Sequence, residues 1–211
     1  MAPHLDQLSK ADFEFTNTWF VGARPIWAQI LKNLRPRRML EVGSYEGQSA
    51  CFLIETIGQM HESELHCIDT WQGGIEHGGI NMSEVERRFL TNTDKAIRWT
   101  SHKTTLKVHK ARSDFALAQL FVQGYEGFFD FIYIDGSHQA PDVLVDAVLA
   151  FRLLRKGGMM AFDDYLWSEN LPGGPDILRM PKAAIDAFVN LHFRQLRVVM
   201  APLYQLYVEK L

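Results

Sequence analysis

Along this chain, short apolar runs alternate with longer stretches of helical spacing. Five runs read as strands: 37–42 (RRMLEV), 65–69 (LHCID), 105–110 (TLKVHK), 128–135 (FFDFIYID) and 159–164 (MMAFDD). Between them, 47–60, 113–124 and 140–158 repeat apolar residues at the period of a half-buried helix. The helix over 113–124 opens on a Ser-Asp cap signal, and the one over 140–158 stops at Lys156 and the Gly157-Gly158 pair. A further helix fits 181–193, and strands at 196–200 and 204–211 flank Ala201-Pro202 as a hairpin. Residues 5–34 read as two helices split near 22–25 (GARP).

Strands separated by helices of this length predict a mostly parallel sheet covered on both faces. The hairpin adds an antiparallel edge, giving a seven-stranded α/β, Rossmann-like sheet in one domain over 1–211, with 1–34 as a helical extension. Two stretches interrupt the alternation, 71–104, with a helical run at 82–99, and 165–180. Each follows the carboxyl end of a strand, where open α/β sheets bind ligands. Trp71, His77, Trp99, Tyr165 and Trp167 lie in these stretches and are expected to wall a ligand pocket. The helix at 82–99 is alternatively a packing or dimer element, and Trp19, Phe20 and Trp27 serve core packing, a lid or a dimer face.

With 211 residues, 47% hydrophobic and 22% charged, the chain suits one soluble domain. A net charge of −3 argues against a general nucleic-acid binder, and the basic clusters at 35–39 and 98–103 read as solvated turns. No apolar stretch approaches the ~18 residues of a membrane span. The first residues lack the basic-then-apolar pattern of a secretory signal. Cys51 and Cys67 match no metal or CxxC spacing and read as reduced core residues, so a cytoplasmic setting is expected.

The chemistry gathers at strand ends. In EVGSYEG (41–47), Gly43 and Gly47 permit a tight turn, but their G-x-x-x-G spacing is not the dinucleotide fingerprint. Asp69 ends the next strand and suits either a nucleoside ribose or a cap on its own loop. Asp135 ends the fourth strand, and Asp163 and Asp164 end the fifth. Each alone reads as a turn or cap residue. Together at one rim they would repel, and a divalent cation such as Mg²⁺ resolves that repulsion. His138, three residues after Asp135, is either a general base or a turn histidine.

E-V-G-x-x-x-G followed by C-I-D resembles the first two motifs of class I S-adenosyl-L-methionine-dependent methyltransferases. The resemblance implies that Glu41 ends its strand beneath the cofactor and that Gly43 and Gly47 let the methionine half pass. It implies that Asp69 holds the ribose and that Ser113 or its neighbours meet the adenine. Trp71 either packs on the adenine or anchors its loop. IDGSHxxxDVxxDxxxxxxLLxxGGxxxFDDY (134–165) is similar to methyltransferase-24-type domains. The spacing of Asp135, Asp163 and Asp164 is similar to the metal site of catechol and of macrolide or aminocoumarin sugar O-methyltransferases. Asp135 then borders cofactor, cation and reacting hydroxyl alike. Catechol-type enzymes carry a lysine base where this chain has His138. The resemblance implies methyl transfer to a hydroxylated small molecule, a sugar or phenol, and a homodimer. A metal-dependent hydrolase using the same carboxylates and a non-catalytic binding module are the competing readings.

Overall fold

The computed structural model describes residues 13–74 and 77–211. The β-branched and aromatic runs form β1 (Arg38–Val42), β2 (Ser63–Asp69), β3 (Thr104–Lys110), β4 (Phe129–Ile134), β5 (Leu154–Phe162), β6 (Leu196–Val199) and β7 (Leu206–Lys210). Their order in the sheet is β3-β2-β1-β4-β5-β7-β6. The first five run parallel, while β7 is antiparallel to both β5 and β6. The order reverses between β1 and β4, so a crevice opens at their carboxyl ends. Both the glycine turn and the Asp135 loop leave the sheet there.

The pleat sorts side chains with period two. Met39, Phe131, Tyr133 and Ala161 face α1 (Arg24–Leu34), α2 (Gln48–Gly58) and α3 (Met82–Arg98), against Trp27, Leu53 and Phe89. Leu40, Val42, Ile132 and Phe162 face α4 (Ser113–Val122), α5 (Ala140–Leu153) and α6 (Pro181–Leu191), against Leu117, Phe151 and Phe188. The α/β sheet with a C-terminal hairpin is as the alternation predicts.

Three local expectations differ. The helix expected over 140–158 ends at Leu153, and β5 starts at Leu154 with no connecting loop. Phe129 pairs with Leu154 but Phe131 pairs with Met159, so the strand bulges through Arg155–Gly158. Asp130 causes this, because its carboxylate draws in the amides of Arg37 and Arg38 and the Arg155 guanidinium. A Cβ on Gly158 would lie 2.9 Å from the Arg155 carbonyl and 3.1 Å from that of Asp130. The glycine pair therefore serves the bulge and is not a helix stop.

The helical run at 82–99 belongs to the alternation: α3 is the crossover between β2 and β3, packed on α2. At the N-terminus, residues 13–18 are irregular and a 3₁₀ turn (Trp19–Ala23) runs straight into α1. The rest of the first expected helix lies outside the described residues. No helix among the described residues is long and apolar enough to cross a membrane.

Candidate functional site

Gly43 extends the parallel ladder, its N–H bonding Ile68 O at 2.9 Å, and turns at φ +82. A Cβ there would lie 1.9 Å from the Asp135 carbonyl oxygen. At Gly47, with φ +80, it would lie 3.0 Å from the Phe89 ring. Both glycines are thus demanded by the protein's own backbone, whatever passes over the turn.

Glu41 lies fully buried beneath the turn and accepts the Ser44 and Ser49 hydroxyls at 2.5 Å each. Burial pushes its carboxyl up to about 7. Asp69 accepts the Ser44 and Tyr45 amides at 2.9 Å each and the Trp71 amide at 2.7 Å. Three of the four lone-pair sites of its carboxylate are thereby used. Asp69 is the turn's anchor, with one lone-pair site left over.

Trp71 is 5% exposed, donates its indole N–H to Tyr45 O at 3.0 Å and packs on Phe89. That is a loop anchor. Ser113 opens α4, and its hydroxyl faces the Asp146 carboxyl of α5 without closing a hydrogen bond of ordinary geometry.

Asp135 and Asp163 continue their strands, with amides bonded to Val42 O and Ile134 O. Tyr133, Asp135 and Asp163 share one face by the pleat. The Tyr133 hydroxyl lies 2.7 Å from Asp163 Oδ2 and 3.0 Å from Asp135 Oδ2. Gln205 donates to Asp163 Oδ1 at 2.8 Å. Asp164 lies two residues beyond the end of β5, its backbone left-handed at φ +54, and meets His138 Nε2 at 2.8 Å. The indole of Trp167 lies on the His138 ring, centroids 4.1 Å apart.

Asp135, His138 and Asp164 each bring one ligand atom within 4.8 Å of the other two. His138 thus stands in this group where the sequence places Asp163, whose carboxylate lies beside it, joined to Asp135 through the shared Tyr133 hydroxyl. Burial raises the Asp135 carboxyl well above the usual range, and repulsion from Asp163 and Asp164 adds to it. Asp163 is raised by burial and by Asp164. The donor set fits a hard divalent cation, whose charge would relieve that repulsion.

A family model described as a methyltransferase domain matches residues 40–165. The chain belongs to that methyltransferase family. It is 27% identical over 172 residues to a probable caffeoyl-CoA O-methyltransferase 3 of Dictyostelium discoideum, covering 77% of this chain and 61% of that protein. A probable caffeoyl-CoA O-methyltransferase 2 of the same organism is 37% identical over 139 residues, covering 65% of this chain and 51% of its own length. The chain thus spans about half to three fifths of these relatives.

Among solved structures, an O-methyltransferase from Bacillus cereus in complex with SAH superposes with a TM-score of 0.62 at 16% identity, over 95% of this chain and 84% of the other. TomG of Streptomyces achromogenes, an O-methyltransferase of tomaymycin synthesis solved with SAM, gives 0.61 at 15% identity, over 90% and 79%. At such identities the likeness concerns the fold.

In this methyltransferase-family chain, the aromatics expected to wall a pocket divide. Trp167 touches His138, and His77 stacks on Tyr45 of the glycine turn, centroids 5.3 Å apart. The Tyr165 hydroxyl is instead held by Asp186 and Lys182 of α6. Trp99 lies at the far end of α3, where its carbonyl bonds Gln59 past the end of α2. A helix rising ~1.5 Å per residue has carried it to the amino end of the strands, away from the site. Tyr133 and Gln205 escaped the sequence reading. Tyr133, two residues before Asp135 on one strand face, was discoverable by the pleat, whereas Gln205 has no local signal.

Proposed function

We propose that this chain is an S-adenosylmethionine-dependent O-methyltransferase that acts, with a divalent cation, on a hydroxyl of a small molecule. The carrying observation is the contact of Gly43 with the Asp135 backbone, which makes the glycine turn and the carboxylate cluster one structure. A donor lying on the turn would bring its methyl group beside the carboxylates. The relatives named as caffeoyl-CoA O-methyltransferases, and the neighbours solved with SAH or SAM, support the same reading.

Asp135, Asp163 and Asp164 would hold the cation. Bound there, it would supply positive charge that lowers the pKa of an acceptor hydroxyl. Glu41 and Asp69 hold the turn in shape from below and from the side. His138 takes the hydroxyl proton once its Nε2 is released from Asp164, and Trp167 fixes the plane of its ring. The rest is positioning, since the sulfonium methyl is already activated. The acceptor is a sugar or phenolic hydroxyl, within reach of His138 and Trp167.

Calorimetry with S-adenosylhomocysteine, in Mg²⁺ and then in a chelator, tests the cofactor. Micromolar binding supports the reading, and its absence in both conditions returns the cluster to a hydrolase or a binding module. The closeness of His138 to Asp135 and Asp164 favours a second reading, in which the imidazole is itself a ligand. In that case His138→Gln loses cation affinity as well as turnover. A base loses turnover alone.

A further inference from the structure

Gln205 joins Asp163 to two donors that lie far from it in sequence. Trp27 Nε1 on α1 lies 2.8 Å from Gln205 Oε1, and the Tyr207 hydroxyl bonds the same oxygen. An indole N–H can only donate, so the oxygen of the carboxamide must face Trp27. Its –NH₂ then faces the other way, 2.8 Å from Asp163 Oδ1 and 3.3 Å from the Tyr133 oxygen. Rotating the amide would set –NH₂ against two donors and strip Asp163 of one of its own. Trp27, Tyr133 and Gln205 are 0%, 1% and 4% exposed, so water does not compete. The Tyr133 oxygen accepts from Gln205, which leaves its proton for the carboxylates at 2.7 and 3.0 Å. The Asp163 carboxylate takes the Tyr133 and Gln205 donors and also the Asp164 amide, so its orientation is held from three sides.

We infer that Gln205, locked by Trp27 and Tyr207, is a positioning residue that aims the Asp163 carboxylate, so that α1 and the C-terminal hairpin together set the affinity of the cation site. The inference rests on the methyltransferase reading with a bound cation. Partners behind a metal ligand typically change affinity about 10- to 100-fold. Trp27 has a second role as a ring in the core, edge-on to Phe131 and Tyr133 at 5.0 and 4.7 Å. Trp27→Phe keeps an aromatic ring there and removes only the donor.

The test is Mn²⁺ titration followed by electron paramagnetic resonance, with melting temperature and S-adenosylhomocysteine affinity measured alongside. Four proteins are compared: the full chain, Gln205→Met, Trp27→Phe, and Phe188→Leu on the opposite sheet face as a core control. The expected result is about tenfold weaker Mn²⁺ binding in Gln205→Met, a smaller loss in Trp27→Phe, and unchanged Mn²⁺ affinity in Phe188→Leu even where its melting temperature falls. S-adenosylhomocysteine affinity stays near that of the parent in all four. Parent-like Mn²⁺ affinity in both network variants overturns this inference and leaves the cation reading standing. No Mn²⁺ binding by the parent overturns both.

Discussion

Gly43 and Asp135 meet backbone to backbone, with no room for a Cβ between the turn after β1 and the loop after β4. Any side chain at 43 must push the Asp135 carbonyl away or abandon the left-handed φ of +82. Gly43→Ala is therefore expected to cost at least about 2 kcal/mol of stability. It should also weaken cation and S-adenosylhomocysteine binding together, since one contact holds both halves of the site. Chemical denaturation with calorimetry checks this, and independent losses would break the link between the two.

Asp164 combines two demands in one residue. Its backbone sits at φ +54, and its carboxylate must face the cluster. Asparagine tolerates the left-handed region and keeps a ligand oxygen, whereas valine tolerates neither. Cation affinity should fall in the order Asp, Asn, Ala, with Asp164→Val also the least stable by about 1–2 kcal/mol. Mn²⁺ titration and thermal melts of the series give the order directly. An Ala variant that binds as well as Asn would remove Asp164 from the ligand set.

Strand ends carried most of what the sequence revealed. Asp69, Asp135, Asp163 and Asp164 stand where short apolar runs stop, and the structure brings the last three to one rim. Gly157-Gly158 misled because the same letters end a helix or fill a bulge. The deciding residue was Asp130, whose partners Arg37 and Arg38 lie at the start of β1 and Arg155 in β5. Gln205 was beyond reach for the same reason: its partners Trp27 and Tyr133 lie 178 and 72 residues away along the chain.

His138 should separate chemistry from binding. As a general base it contributes on the order of 10²- to 10⁴-fold to turnover. His138→Gln is expected to lower kcat by that order, with cation and cofactor affinities near those of the parent. Trp167→Leu, which removes the ring lying on His138, should lower kcat less while His138 is retained. Single-turnover methyl transfer with matched Mn²⁺ titrations distinguishes the outcomes. A large loss of Mn²⁺ affinity in His138→Gln would move the imidazole into the ligand set.

Glu41 makes stability depend on pH. Its carboxyl rises from an ordinary value of 4.5 to about 7 in the folded chain because it is buried. The unfolded chain then releases its proton earlier than the folded one. The favourable contribution is complete below about pH 4.5 and is lost progressively as pH rises through about 7. A shift of this size corresponds to about 3 kcal/mol. Asp146, raised from 3.8 to about 7 by burial, acts in the same direction, its loss beginning at a lower pH. Glu41→Gln removes the ionisation and can still accept a hydrogen bond from Ser44 or Ser49, so its melting temperature should fall less between pH 5 and 8 than that of the parent. Thermal melts across that range, for the parent, Glu41→Gln and Asp146→Asn, measure each share. Parallel curves for the parent and Glu41→Gln would mean that Glu41 releases its proton at the same pH in the folded and unfolded chains, and the weight of the pH response would pass to Asp146.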